Sequence, residues 1–567
     1  MNVTGVTDGL YINNGSHFVL VGQEQPNPNL APVELADGTV WVGGNKNIDG
    51  SVTPSKLTLG SYGSASETKG HLGELNIGIS PANPALGGAG GQVIVKNGEF
   101  TVDVLNNGSA GYGNDREGLV IGNAEDTTTQ LIVTNYTAVD GSAMSNHGIF
   151  KAENIASRNT NNSFVNHGTF EIGSADVSGY IENNGKADFE ELTLREYGTV
   201  NRNGGELTAG KLTVTGNALA GASGTYAIRG SLENQGKLSV TEELTVAGDM
   251  TNGGELDIAK LTVQAATPVQ DAKAGSFINN ALAKVDSLLT EAGSLVTNAA
   301  DAVLTIAGLN GTSELNGTVT NDGTLKVDGT QSVTVASGEL NNNGSMENTN
   351  VLNVTGGTVG NNGSLALNGL NITGGQVQNS AQAAQFKDSG TTKIEMAEAS
   401  DVGIANEGHL ELSNLMLLKG MIQGGSVGSK DVTLADVRQD ASIEAETVQL
   451  KELNNAGTVK VTEFAAAKTE NTGTVEAGNL VLAENDRFLN QSAGSVKADQ
   501  LVLNGGEFVN AGGNTSDIAL TQIATGGQFT SDGDSSLQKV ASNVGTINLN
   551  KGNLNIAELD AKNSVYN

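Results

Sequence analysis

Along most of this chain, apolar side chains fall at fixed offsets around a recurring asparagine. The stretch Leu232-Glu-Asn234-Gln-Gly236-Lys-Leu238-Ser-Val240-Thr-Glu-Glu-Leu244-Thr-Val246-Ala-Gly248 shows the unit. One apolar residue precedes the asparagine by two positions, a pair follows at +4 and +6, and a second pair follows near +9 and +11. Spacing of two within each pair is the signature of a strand with one buried face. Each repeat therefore holds three short strands.

Seventeen such asparagines, from Asn146 to Asn510, recur mostly 16 to 23 residues apart. Asn166, Asn183, Asn203, Asn234, Asn252, Asn321, Asn361 and Asn406 are typical, and Gly168, Gly185, Gly236 and Gly323 follow two residues after four of them. This spacing predicts a corner at which the asparagines stack into a hydrogen-bonded ladder and the glycines adopt positive φ. Three strands of a few residues cannot bury their apolar positions alone, but stacked coils can. The expected fold is all-β: a right-handed parallel β-helix with three strands per coil, built as one elongated rod.

The pattern changes along the chain. Residues 1–143 hold six of the seven prolines, the single tryptophan Trp41, and Tyr62 and Tyr112. Their strands read apolar-x-apolar-Gly, as in Val40-Trp-Val42-Gly43, Leu57-Thr-Leu59-Gly60, Leu75-Asn-Ile77-Gly78 and Leu119-Val-Ile121-Gly122. This part is read as coils with long loops, Gln23 to Pro32 and Ile79 to Gly91 among them, continuous with regular coils over 144–567. Ala281 to Ala302 has some helical spacing, but Ala283, Val285, Val296, Ala302 and Leu304 keep the solenoid offsets and predict strands. Between Asn406 and Asn455 the anchor lapses while Val432 and Leu434, then Val448 and Leu450, are expected to carry the strand pairs. After Asn510 the repeat is expected to resume at Asn543-Val-Gly545-Thr-Ile547-Asn-Leu549.

Composition narrows the partners. The chain has 62 acidic and 30 basic residues and a net charge of −32, which disfavours nucleic acid and anionic membrane surfaces. With no cysteine, disulfides and thiolate metal sites are excluded. No stretch reads as a signal peptide or as a membrane helix.

The Asn-x-Gly-x-apolar-x-apolar coils, and the apolar-x-apolar-Gly coils before them, resemble the passenger domains of bacterial autotransporters. The resemblance covers essentially the whole chain, though the cleaved leader and membrane barrel of that family are not in this sequence. It implies an exported protein at the bacterial cell surface, acting as an adhesin or aggregation factor. The partners implied are host or bacterial surface glycans or proteins, or copies of the chain itself.

Candidate chemistry is sparse. Trp41, Tyr62 and Tyr112 offer stacking faces for sugars if they point outward. Glu190-Glu191, Glu242-Glu243 and Asp115-Arg116-Glu117 are the carboxylate clusters that a β-helical lyase or hydrolase would need, but pairs arise by chance among 62 acids. His147 and His167 stack in one column if the coils are regular, which places them near enough to share a metal. Asn184 takes the same position in the next coil and is a weak ligand, so a solvated corner is the preferred reading. Asp532-Gly-Asp534 lacks the further ligands of a calcium loop. The reading is of a non-enzymatic adhesive or self-associating surface protein without cofactor or metal. An architectural subunit of a surface layer, filament or phage fibre is the first alternative, and a carbohydrate-active enzyme the second.

Overall fold

The computed structural model describes residues 10–567 apart from 13–16, 21–32, 47–51, 61–67, 81–82, 88–89, 110–117, 140, 217–228, 267–271, 309–312, 329–331, 349, 381–383 and 513–514. Tyr62, Tyr112, Asp115-Arg116-Glu117 and the Gln23 to Pro32 loop lie outside the described residues. Among those described there is no helix, and the chain is a parallel β-helix. It divides by contacts into two units, Met1–Val296 and Thr297–Asn567.

In the first unit, each coil presents three strands that pair in parallel with the equivalent strands one coil away. The first face stacks Leu57, Val93, Leu119, Met144 and Phe164 in register. The second runs through Phe100, Leu131, Phe150 and Phe170, and the third through Val40, Leu75, Leu105 and Tyr136. All of these side chains are buried. The apolar-x-apolar-Gly coils thus belong to the same solenoid as the asparagine coils. They are longer because Val40 pairs with Leu75 and Leu75 with Leu105, whereas Asn166 pairs with Asn183. Leu282–Thr290 is a strand with Ala283 and Val285 facing inward.

The asparagine ladder forms inside the coils. Nδ2 of each asparagine donates to Oδ1 of the next at 2.8 Å, in the order Asn146, Asn166, Asn183, Asn201, Asn234, Asn252, Asn279. Its second N–H reaches a backbone carbonyl of the next coil, as from Asn166 to Lys186 at 2.9 Å. A fully buried carboxamide would otherwise cost a few kcal/mol, roughly 1–3, so the stacking satisfies what burial penalises.

Two sequence expectations are corrected here. Asn201, not Asn203, holds the rung: Asn203 is exposed, in a corner widened by two residues and turned by Gly204 at φ +88. The Asn203-x-Gly205 spacing imitates the motif locally, while the inward direction is fixed by Thr199 and Leu207. Nor do the corner glycines take positive φ; Gly168, Gly185, Gly236 and Gly323 are absent from the left-handed residues. They are required by close approach, since a Cβ on Gly236 would run into the carbonyl oxygens of Gly205 and Arg202 in the coil beneath.

The second unit repeats the ladder through Asn298, Asn321, Asn342, Asn361, Asn379 and Asn406, with rungs of 2.7–2.9 Å. There it stops: Nδ2 of Asn406 closes on the carbonyls of Gly408, Gly424 and Ser426. It restarts as Asn455, Asn471, Asn490 and Asn510.

The restart is on a different face. From Ile404 the first face continues to Ile422, then Ile443, then Val459. From Leu410 the second face continues to Val427, Val448 and Phe464. From Leu417 the third face continues to Val437, and the amide of Ala456 donates to the Val437 carbonyl at 2.7 Å, which sets Asn455 above Val437. Asparagines before the gap therefore line the first face and those after it line the third. The buried pair in this interval is Ala435 and Val437; Val432 and Leu434 are 45% and 42% exposed, because Val432 sits in a turn and Leu434 takes the outward position beside Ala435.

Beyond Asn510 the asparagine column passes to Ser531 and then Leu549 through the pairs Phe508 with Phe529 and Phe529 with Ile547. Asn543 occupies the preceding corner and is not an anchor. Phe488, Phe508 and Phe529 stack beside this column with ring centroids 5.1 and 5.4 Å apart.

Candidate functional site

Among the described residues the inward positions are buried in packing and in the ladders, so a ligand meets the outward residues that alternate with them. On the third face of the first coils, Val40 and Val42 point inward at 1% and 0% exposure. Strand alternation then turns Trp41 outward, and it is half-buried. Of the three aromatics singled out from the sequence, it is the one the structure describes.

Register brings a polar cluster beside it. Trp41 pairs with Asn76 and Asn76 with Asn106, so the three stand in one outward column; Thr39 and Glu74 stand in the adjoining column. The Glu74 carboxylate accepts from Thr39 Oγ1 at 3.2 Å and from Asn76 Nδ2 at 3.0 Å, and Asn106 Nδ2 donates to Asn76 Oδ1 at 2.9 Å. Asn76 is 2% exposed, while Glu74 and Asn106 remain half-buried. Glu74 and Asn106 were not singled out in the sequence, being remote from Trp41 along it. Their signal was present, since Val40-Trp-Val42-Gly43 and Leu75-Asn-Ile77-Gly78 are the same strand in successive coils.

The carboxylate pairs behave differently. Glu190, Glu191 and Glu242 line an open groove of about 690 Å³ along the corner between the second and third faces, together with Glu153, Gly173 and Gly210. Lys211 lies 3.3 Å from Glu191 and 3.7 Å from Glu242, and Lys260 lies 2.9 Å from Glu243. The hydrogen bond it donates to Glu191, with that carboxylate's charge, holds the Lys211 ammonium above its usual range. The hydrogen bond from Lys260 holds the Glu243 carboxyl below its own. A general acid for glycoside cleavage needs the opposite shift, a carboxyl kept protonated near neutral pH.

His147 and His167 do meet, with ring centroids 4.6 Å apart and planes inclined by 11°. Parallel stacked imidazoles direct their in-plane lone pairs side by side rather than toward one point, which is unsuited to sharing a metal. Among the described residues no three His, Asp or Glu side chains gather as metal ligands. Asp534 accepts from the amide and side chain of Asn553 in the next coil, as a corner residue does.

No protein-family model matches this chain, and no curated protein is similar to it.

Proposed function

We propose that this chain is a non-enzymatic surface protein of secreted bacterial type, similar in kind to an autotransporter passenger, working in adhesion or self-association. The observation that carries this reading is the outward charge pattern. Several acidic side chains are answered by lysine or arginine one coil away, as in Lys151 with Glu171, Lys387 with Glu411 and Arg487 with Glu507, and the many others are left to solvent. Such columns make a repetitive, solvated surface and not a converging catalytic group. A −32 charge favours partners other than nucleic acid.

The test is display of the full chain on non-aggregating bacterial cells, followed by settling and by attachment to coated surfaces. Faster settling or attachment than cells without the chain supports the reading. Cells that neither aggregate nor attach overturn it, as does release of products from neutral or acidic polysaccharides by the purified chain.

A further inference from the structure

We propose that the outward third face around Trp41, Glu74, Asn76 and Asn106 is a recognition site for an uncharged oligosaccharide. The proposal rests on the adhesive reading above and names the ligand class of one surface within it.

Recognition of neutral sugars draws on two chemistries: an aromatic face against the C–H face of a pyranose, and planar amides and carboxylates that hydrogen-bond its hydroxyls. Both occur here in one column pair. Trp41 projects from a strand whose neighbours Val40 and Val42 are anchored in the core, so the indole is carried on a rigid base. Below it, Asn76 is locked between Glu74 and Asn106 by hydrogen bonds of 3.0 and 2.9 Å. That network fixes the orientation of the half-buried Glu74 and Asn106 groups, which otherwise would lose rotamer freedom on binding.

Charge selects among sugars. The hydrogen-bond donors that hold Glu74 are the neutral groups of Thr39, Asn76 and Asn106. Among the described basic residues of these coils, Lys56 and Lys96 belong to first-face strands, and Lys69 and His71 are turned to the second face and paired with Glu99 at 3.3 Å and Asp103 at 3.0 Å. A carboxylate that meets only neutral donors among the described residues accepts sugar hydroxyls but repels uronates and other acidic sugars. Along the column, side chains repeat once per coil, about 4.8 Å apart. An extended oligosaccharide lying along it meets the indole first and the amides next.

Trp41 is the single tryptophan of the chain, so its emission reports directly on the site. The full chain is titrated with cellohexaose, xylohexaose, chitohexaose and polygalacturonate, with calorimetry in parallel. A saturable change in emission with at least one neutral hexasaccharide, weakened about tenfold or more by Glu74→Gln at unchanged melting temperature, is the expected result. Trp41→Phe retains part of the affinity and Trp41→Ala loses it. Unmoved emission with every neutral probe at millimolar concentration overturns the site. So does calorimetric binding that Trp41→Ala leaves intact, or equal binding of polygalacturonate. Settling and attachment of cells displaying Trp41→Ala separate the two readings: retained adhesion without sugar binding removes this site and leaves the adhesive function standing.

Discussion

Asn455 stands on Val437, with the amide of Ala456 bonded to the Val437 carbonyl at 2.7 Å, and its buried Oδ1 meets no donor among the described residues. Asn146, at the head of the ladder in the first unit, has the same orphaned Oδ1, above Ile121. A column of carboxamides that each accept from the coil before and donate to the coil after must begin with an acceptor left over. Changing face therefore has a cost at the restart, comparable with one buried unsatisfied acceptor, roughly 1–3 kcal/mol.

Val437→Asn should supply the missing donor. It loses the transfer energy of a buried valine, about 1.5 kcal/mol or more, and gains a rung, while the leftover acceptor passes from Asn455 to the new side chain above Leu417, so the net loss should be about 1 kcal/mol. Val246→Asn, in a column between Val214 and Val263, has no amide to meet and should cost about 2–4 kcal/mol. Denaturant unfolding of both variants checks the comparison; equal losses would refute the ladder account.

Asn201→Ala should be severe, because it leaves Asn183 Nδ2 and Asn234 Oδ1 without their mutual partner; about 2–4 kcal/mol is expected. Asn203→Ala should fall within about 0.5 kcal/mol, as an exposed substitution. Melting temperatures of the pair decide which asparagine holds the rung.

Gly236→Ala should already destabilise the coil, by about 2 kcal/mol or more, since the added Cβ meets backbone carbonyl oxygens that cannot move aside. If the corner required only left-handed freedom, alanine would cost about 1 kcal/mol. A small loss by chemical denaturation would favour that alternative.

Lys430 Nζ lies 2.6 Å from Asp486 Oδ2, and the Asp486 side chain is only 5% exposed. Lys430 lies in the interval in which the ladder changes face, and Asp486 lies past the restart at Asn455. Lys430→Ala leaves a buried carboxylate unpaired and should cost about 3 kcal/mol, with hydrogen exchange rising over 434–455 and 458–471. Lys387→Ala removes an exposed pair with Glu411 and should cost less than about 1 kcal/mol. Unchanged exchange in Lys430→Ala would show the pair to be idle.

A donor from the Tyr180 hydroxyl, 2.7 Å away, holds the Glu182 carboxyl below its usual range, with Arg202 and Asn184 acting in the same direction against burial. A depressed folded pKa means stability that is present above the unfolded value near 4.5 and lost as pH falls through the folded one. Melting followed from pH 6 downward should therefore show a shallower acid loss in Glu182→Gln, by less than about 1 kcal/mol for a partly exposed group. Identical acid slopes would exclude this contribution.

Much of the fold was legible because burial imposes a period on the sequence. The apolar pairs Leu238 with Val240 and Leu244 with Val246 declare strands, and their spacing declares coils. The ladder was legible where Asn and Gly kept their interval, and misread at Asn203 where an exposed corner copied it. In the candidate site, Trp41 was visible as a lone aromatic, but its polar neighbours come from coils 35 and 30 residues further on in turn.

By itself the sequence determined that this chain is a stack of three-stranded coils with buried asparagines, since a repeated hydrophobic period admits few ways of being buried. Tertiary structure decided which residues share a column. Strand pairing between coils, not the local motif, sets that register, so the face change between Asn406 and Asn455, the close glycine corners and the Trp41 to Glu74 cluster emerge only when coils are laid on one another.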